Sequence, residues 1–408
     1  MGKTYLKTPR TLVPEMTTRR IRHYIFLRDV LILTATTFGG PQAHIALFID
    51  MMVVRRRYLT EGELMELYAL CQMLPGPTST QTLTAIGFKI GGPRLAFLTL
   101  LVWILPASLF MTAAAVGISY LQVRSSSMEF TRFIHPIAVG FVSYAAYRIA
   151  TRVIHTPVGF LLMAVAAVAS YFVRSPWVFP GVLIVSGAIT AIRYRNRHQR
   201  EEKEPLRIEW ANFVLFAGVF IGAAVLGAIT RELPVRLFEN FYRNGSLIFG
   251  GGQVLIPLMY TEFVEFKHYL SSEEFLSGFA LVQALPGPVF SFCAYIGTLS
   301  MRDWGIWGEL LGSLVAVTGI FLPGTFLIFF VIRFWTQLKR YRVVRASLDG
   351  IQAASAGLVV AAAVLLFDPI EGSLLNVGII VVTFLLLFKT KLPAFAIIAA
   401  GLVAGFIF

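Results

Sequence analysis

The sequence predicts an all-α membrane protein that crosses the bilayer many times and consists of two homologous halves. The chain is 57% hydrophobic and 14% charged, whereas soluble domains carry about 25% charged residues. Apolar runs close to the ~20 residues that span a hydrocarbon core recur along it, as at 178–192, 374–388 and 394–408. Glycine- and proline-rich motifs of the first half return 211 residues later, which indicates a duplication.

The repeat continues without a gap between its two main motifs. FGGPQ at 38–42 returns as FGGGQ at 249–253, and LPGP at 74–77 returns unchanged at 285–288. The predicted organisation is therefore two homologous membrane repeats, preceded by a basic cytoplasmic segment and separated by a charged cytoplasmic linker. The segment occupies 1–28, the first repeat 29–192, the linker 193–209 and the second repeat 210–408.

The positive charge of corresponding loops indicates that the two halves have opposite orientations. RRR at 55–57 follows the first motif, whereas its counterpart at 266–268 is FKH. Further along the bias reverses, because 333–345 is much more basic than 121–132. Basic loops tend to stay in the cytoplasm, so equivalent loops are expected on opposite sides of the membrane, as in inverted transporter repeats.

Two segments in each half are predicted to be broken or re-entrant helices. In the first half, Pro75-Gly76-Pro77 interrupts 61–92, and each arm is too short to span the bilayer. FGGP interrupts 29–54 in the same way, and the second-half equivalents lie near 238–264 and 274–300. Full spans are expected at about 94–121, 133–153, 156–174, 176–192, 210–230, 305–332, 347–367, 372–388 and 392–408.

These broken segments are the predicted binding site for an oxyanion. A half-helix N-terminus presents free N–H groups and the positive end of the helix dipole, which suit an anion. Thr78, Ser79 and Thr80 add three hydroxyl donors, where the second half offers Val289-Phe290-Ser291. The alternative is structural, because glycines permit close packing and glutamines join helices in membranes. The other candidate ligands are Gly39, Gly40, Gln42, Gln72, Gly76, Gly250, Gly251, Gly252, Gln253, Gln283 and Gly287.

Three ionisable residues are candidates for coupling transport to protons or cations. Glu63 and Glu274 occupy equivalent positions, and His44 lies inside the first broken segment. Ionisable groups within a membrane are costly and are usually functional. The alternative for the two glutamates is structural, because an acid at a helix N-terminus stabilises the helix dipole.

Several other classes of protein fit the sequence less well. The net charge of +13 does not indicate nucleic-acid binding, because the basic residues flank apolar runs. No metal or cofactor is expected, and Cys71 and Cys293 are interpreted as buried core residues. The sequence lacks HExxH, GxSxG and P-loop motifs, which argues against an enzyme. An anion channel and a membrane-embedded enzyme stay open as alternatives of a different class.

The motifs resemble those of the chromate ion transporter family in its long two-domain form. They are FGGP with a following histidine, RRRYL and CQMLPGPTSTQ in the first half, and FGGGQVLIPL and VQALPGP in the second. The resemblance implies export of chromate across the bacterial inner membrane, which confers chromate resistance. Sulfate, another tetrahedral dianion, is implied as a competitor, and a sulfate or molybdate carrier is the alternative. The coupling ion and the oligomeric state, with a homodimer among the alternatives, stay open.

Overall fold

All regular secondary structure in the described part of the chain is helical, which confirms the predicted all-α class. A computed structural model describes residues 15–38, 41–123, 132–175, 177–197, 209–249, 251–335, 342–368, 370, 373–390 and 392–407. The first-half helices are α1 (Glu15–Thr36), α2 (Pro41–Phe48), α3 (Glu61–Met73), α4 (Thr78–Val123), α5 (Ile134–Val153), α6 (Pro157–Phe172) and α7 (Val178–Arg197). The second-half helices are α8 (Ala211–Thr230), α9 (Leu233–Gly245), α10 (Gly252–Tyr260), α11 (Ser272–Ala284), α12 (Phe292–Ser300), α13 (Gly305–Val331), α14 (Arg342–Leu365), α15 (Leu374–Lys389) and α16 (Ala394–Ile407).

Both halves contain the predicted pair of broken helices. In the first half the breaks separate α1 from α2 and α3 from α4, and in the second half they separate α9 from α10 and α11 from α12. The turn between α3 and α4 holds Gly76 at a φ of 113°, and its equivalent Gly287 has 110°. Only glycine adopts such a conformation without strain, which explains why both turns carry the same PGP sequence. Re-entry of these segments into the membrane stays a prediction.

A second duplicated feature, which the sequence pattern did not indicate, follows α2 and α10. Both helices continue as short π-helices, Ile49–Arg55 and Thr261–Phe266. Each π-helix leads to a non-glycine residue with positive φ, Arg57 at 52° and His268 at 55°. These two residues are 211 positions apart, and positive φ is uncommon for residues with a side chain. The duplication therefore extends to the details of the backbone.

A reciprocal pair of backbone hydrogen bonds joins the two halves at their breaks. The Gly76 N–H donates to the Ile248 carbonyl at 2.7 Å, and the Gly287 N–H donates to the Thr37 carbonyl at 2.8 Å. Gly287 and Ile248 are the equivalents, 211 residues on, of Gly76 and Thr37. Each PGP turn thus donates a hydrogen bond to the carbonyl at the helix break of the other half. Such reciprocal contacts between equivalent residues are the pattern expected of a two-fold relation.

Contacts at the two ends of α5 support opposite orientations of the halves. α5 has 20 residues and is therefore about 30 Å long. At its start, His135 Nε2 lies 3.3 Å from Ser277 Oγ on α11, while at its end Arg152 interacts electrostatically with Tyr68 on α3. Because α3 and α11 are equivalent helices, their approach to opposite ends of one helix is the arrangement that inverted repeats produce.

The described helices account for a protein that crosses the membrane several times. Four helical stretches are long and apolar enough to span it by length and composition: Thr78–Tyr120, Ala211–Thr230, Arg302–Val331 and Ala346–Leu365. The first of them bends at Gly92, where φ is 76°, so α4 combines a half-helix with a following span. Only 11% of the most apolar stretch of α8 is buried within the protein, so α8 directs most of its apolar surface outward.

The centre of the molecule is built from the broken helices. α4 packs against α12 and α13, and α12 crosses α13 where Gly297 meets Gly312. A Cβ atom on either glycine would lie 2.3 Å or less from a backbone oxygen of the other. Small residues allow such close helix crossings in membranes. α5, α6 and α7 surround this centre together with α14, which packs against all three.

Cysteine labelling tests the inverted orientation. Arg55 and Phe266 are equivalent and exposed, whereas the native Cys71 and Cys293 are buried and give little background. In sealed vesicles, an impermeant thiol reagent is expected to modify only one of Arg55→Cys and Phe266→Cys, and to reach the other after permeabilisation. Modification of both variants in sealed vesicles would contradict the inverted arrangement.

Candidate functional site

A buried cavity lies where broken helices of the two halves meet. Its lining is His44, Pro77, Thr78, Ser79, Thr80, Gly252, Pro288, Val289 and Phe290. Pro77 and Pro288 are equivalent residues of the two PGP turns, so the cavity lies between the halves. Its volume is about 20 Å³, which is room for about one ordered water molecule. The three consecutive hydroxyl residues predicted as anion ligands lie together on its wall.

The start of α4 forms the polar wall of this cavity. The Pro77 carbonyl accepts the first helical hydrogen bond, from Gln81 N–H at 2.9 Å. The amides of Thr78, Ser79 and Thr80 consequently have no acceptor within the helix. Ser79 Oγ is buried and has no hydrogen-bond partner among the described residues. This wall therefore offers backbone donors and one free hydroxyl to the cavity.

Two further side chains hold the start of α4 in place, Trp103, which sequence reasoning missed, and Gln81, which it considered as an anion donor. Trp103, in the second part of α4, donates from Nε1 to Thr80 Oγ1 at 3.1 Å. Gln81 donates from Nε2 to the Pro75 carbonyl at 2.8 Å and to the Gly324 carbonyl at 3.2 Å. Gln81 thus ties the PGP turn to α13. Its position directly after Thr80 was the available signal, although its partner in α13 is 243 residues away.

His44, predicted as a coupling candidate, reaches the cavity from α2. Its side chain is 2% exposed, and neither ring nitrogen has a hydrogen-bond partner in the described structure. The ring is nearly perpendicular to that of Trp103, with 5.7 Å between centroids, and its centroid lies 6.4 Å from that of the Phe48 ring. A buried polar group without a partner costs about 1–3 kcal/mol, so the His44 ring is a candidate to bond a ligand or a water molecule in the cavity.

The second half contributes backbone groups and apolar side chains to the cavity. Gly252 begins α10 directly after Gly251, whose φ is 95°, and Val289 and Phe290 lie in the turn that leads into α12. Ser291 does not add a free hydroxyl, because its Oγ donates to the Pro288 carbonyl at 2.7 Å. The predicted asymmetry between the halves is therefore present at the cavity.

The electrostatics of the cavity favour an anion. α4 and α10 both begin at its wall, and a helix N-terminus acts like roughly half a positive charge. No acidic side chain belongs to the lining that the structure describes. Unpaired amides, the Ser79 hydroxyl and the His44 ring can all donate hydrogen bonds, and several donors converging on one small space suit an ion whose oxygens are all acceptors.

The other predicted ligands have different positions. Gln72 and Gln283 lie near the ends of α3 and α11 and are half-buried, but neither lines the cavity, and Gln72 hydrogen-bonds to Tyr68. Gly76 and Gly287 shape the PGP turns and support the site without lining it. Three of the remaining predicted ligands, Gly39, Gly40 and Gly250, lie outside the described residues. For Gln42 and Gln253 the structure describes the backbone and not the side chain.

Glu63 and Glu274, the other two coupling candidates, cap helices. Glu63 forms a capping box with Thr60 at the start of α3, and Glu274 forms the same box with Ser271 at the start of α11. Each carboxylate also pairs with a base: Glu63 with Lys89 at 2.6 Å, and Glu274 with Arg302. Neither lines the cavity. These contacts favour the structural interpretation, and the coupling role stays untested.

Replacement of Glu63 is expected to leave the pH dependence of transport unchanged. The hydrogen bond from Lys89, with those from Thr60, lowers the pKa of the exposed Glu63 carboxyl to about 2, so it stays ionised throughout the physiological range. Glutamine also completes a capping box, so the Glu63→Gln variant should fold. Flux measured with and without a pH gradient checks this, and a selective loss of the pH response would identify Glu63 as a proton carrier.

Two homologous repeats, paired broken helices and a donor-rich cavity at their meeting point define a class, the α-helical membrane transporters with discontinuous helices. The chain matches the family described as chromate transporter over residues 25–192 and 235–406, and it belongs to that family. The two matched stretches correspond to the two predicted repeats. The resemblance noted in the motifs is thereby confirmed.

The chain is similar to several known proteins over most of its length. An uncharacterized transporter of Methanocaldococcus jannaschii is 26% identical over 382 residues, which are 92% of each chain. The chromate transport protein of Cupriavidus metallidurans is 24% identical over 400 residues, 95% of this chain and 92% of that protein. The uncharacterized transporter YwrA of Bacillus subtilis is 29% identical over 185 residues, which are 43% of this chain and 97% of that protein. No solved structure matches.

Proposed function

We propose that this protein is a secondary transporter that exports chromate, and that chromate binds between the two PGP turns when movement of the two halves widens the cavity there beyond its present volume of about 20 Å³. The observation that carries the proposal is the convergence of unpaired donors there. Ser79 Oγ and both nitrogens of His44, one of which is a donor in the neutral ring, are buried without partners in the described structure. Both residues line the cavity at which α4 and α10 begin. A tetrahedral dianion supplies acceptors in several directions and the charge that helix N-termini favour.

Family membership and the name of the Cupriavidus metallidurans relative favour chromate over other ions. Sulfate and molybdate have the same shape and charge, so the geometry of the donors alone does not separate them from chromate. We propose chromate as the substrate and sulfate as a competitor. Export across the bacterial inner membrane, with chromate resistance as its consequence, is the physiological role proposed.

An inverted repeat gives such a site a route to both sides of the membrane. In transporters of this kind, binding sites formed by broken helices lie near the middle of the membrane, and one repeat rocks against the other. The reciprocal hydrogen bonds at Gly76 and Gly287 lie beside the cavity, so relative movement of the halves would change its walls. This favours a carrier over an anion channel.

Chromate flux in proteoliposomes tests the proposed function. Liposomes that contain the purified protein should release preloaded chromate faster than protein-free liposomes. The release rate should saturate as the internal chromate concentration rises. External or internal sulfate should compete, because both ions would use the same donors. The absence of protein-dependent chromate flux would overturn the proposal, and a flux that never saturates would favour a channel.

A further inference from the structure

A second cavity, here called the basic cavity, lies at one end of α8 and is separate from the proposed chromate site. Its volume is about 570 Å³, within the range of pockets that bind organic ligands. Three of its lining residues are cationic, Arg231, Arg236 and Lys267. None of these three forms an ion pair with an acidic side chain in the described structure. With three bases and one acid, the lining carries a net positive charge.

The one acidic residue among the described lining residues is already paired. Glu239 accepts a hydrogen bond from Arg243 Nε at 3.0 Å. Arg243 also binds both carboxylate oxygens of Glu262 from Nη2, each at 3.1 Å. The two acids thus share one arginine beneath the cavity, and Lys267 also interacts electrostatically with Glu262. Four bases, Arg243 with the three cations of the lining, stand against these two acids, so a net positive charge remains.

An unpaired polar side chain completes the wall. Asn240 is 2% exposed and lines the basic cavity. Its Oδ1 accepts from Arg243 Nη2 at 3.3 Å, while its Nδ2 has no hydrogen-bond partner among the described residues. A buried amide donor without a partner costs about 1–3 kcal/mol, so an acceptor on a ligand in the cavity would satisfy it.

The residues around the basic cavity are typical of the membrane–water interface. One wall consists of Ala224, Gly227 and Ala228 of α8, the helix that is buried least among the candidate spans. Trp177, which is 66% exposed, lies at the cavity with its ring 5.1 Å from the Arg243 guanidinium carbon. Tryptophan is enriched at the level of the lipid headgroups. The apolar wall and the cationic rim thus match the two parts of a phospholipid.

We propose that the basic cavity binds an anionic phospholipid. Its headgroup phosphate would lie between Arg231, Arg236 and Lys267 and accept from Asn240 Nδ2, with the acyl chains along the small residues of α8. Basic pockets between membrane helices bind acidic headgroups in this way. The cavity is far larger than a five-atom oxyanion needs, which favours a lipid over the transported ion.

Native mass spectrometry tests this proposal by measuring how much of each lipid the purified full-length protein binds. The two lipids compared are phosphatidylglycerol and phosphatidylcholine of equal acyl length. The wild-type protein should retain phosphatidylglycerol. The triple variant Arg231→Gln, Arg236→Gln and Lys267→Gln should bind it about 100-fold more weakly, because each cation contributes about a fivefold factor. If the triple variant does not fold, the single variants are measured instead, each with about a fivefold loss expected.

The matched control removes the same charge at the other end of the membrane helices. Arg152, Arg193 and Lys389 are exposed, and Lys389 stacks on Phe388 much as Lys267 stacks on Phe266. Their replacement by glutamine should leave lipid binding within about twofold of the wild type. An equal loss in this control, or equal binding of phosphatidylcholine, would overturn the proposal.

Soluble phosphate distinguishes a lipid from a free ion. Inorganic phosphate and chromate, each added in excess, should fail to displace phosphatidylglycerol, because neither fills the apolar wall. Displacement by either ion would assign the cavity to a soluble anion and overturn the lipid proposal. The measurement does not depend on transport, so it stands or falls separately from the proposed chromate site.

Discussion

Ser79→Ala is expected to weaken chromate binding by about 10- to 150-fold while leaving the protein folded. A hydrogen bond to a charged group is worth about 1.5–3 kcal/mol, which corresponds to that range. Ser79 Oγ has no partner in the described structure, so its removal breaks no internal contact. Chromate affinity measured by isothermal titration or by the half-saturating concentration for flux checks the expectation.

Ser355→Ala is the matched control for Ser79→Ala. Ser355 is also buried, at 1% exposure, and its Oγ also lacks a partner among the described residues, but it lies on α14 away from the cavity lining. Its replacement should leave chromate affinity unchanged. Equal affinities for wild type, Ser79→Ala and Ser355→Ala would exclude Ser79 as a ligand.

The neighbouring threonines give less direct information. Thr78→Val should weaken binding in the same way, since it keeps the side-chain volume and removes the hydroxyl donor. Thr80→Val also removes the acceptor of the Trp103 hydrogen bond, so lower stability would accompany any loss of affinity. Ser79 is therefore the position where binding and folding separate best.

Chromate export is expected to respond strongly to the membrane potential at constant pH. Each charge that leaves a negative interior gains about 2.3 kcal/mol per 100 mV, so a dianion gains ~4.6 kcal/mol. That energy supports an outward gradient of about a thousandfold without a coupling ion, because about 1.4 kcal/mol is a factor of ten. Vesicles clamped with potassium and valinomycin, without a pH gradient, provide the measurement.

The control for this experiment is the same vesicle population with equal potassium on both sides, where only the chromate gradient drives flux. A flux that ignores the imposed potential would reject electrogenic export and require electroneutral coupling. His44 would then be the first carrier to replace, because it lies on the cavity, whereas Glu63 and Glu274 are held in capping boxes.

The breaks in the fold could be predicted because glycine and proline leave a local signal. The two PGP motifs predicted turns between α3 and α4 and between α11 and α12, and Gly76 and Gly287 have the backbone conformations that explain them. Duplication strengthened the signal, since each motif occurred twice at one spacing. Thr78, Ser79 and Thr80 were found for the same reason, because they directly follow such a break.

Contacts between distant parts of the chain left no such signal. Nothing in the spacing of Thr80 and Trp103 predicts their hydrogen bond, which depends on the bend of α4 at Gly92. The buried pair of Arg243 and Glu262 is similar, because it joins α9 to a π-helix that the sequence pattern does not predict. Gln72 and Gln283 were predicted as ligands from their place in the repeat, yet they lie outside the cavity lining.

The reciprocal hydrogen bonds made by the two PGP turns have a consequence for the assembly of the two repeats. Neither repeat can satisfy its own break, since the Gly76 amide needs Ile248 and the Gly287 amide needs Thr37. A single repeat of this kind would leave its PGP-turn amide unpaired unless a second repeat supplied the acceptor. When both repeats belong to one polypeptide, their pairing is intramolecular, so the concentration of a partner chain no longer limits assembly.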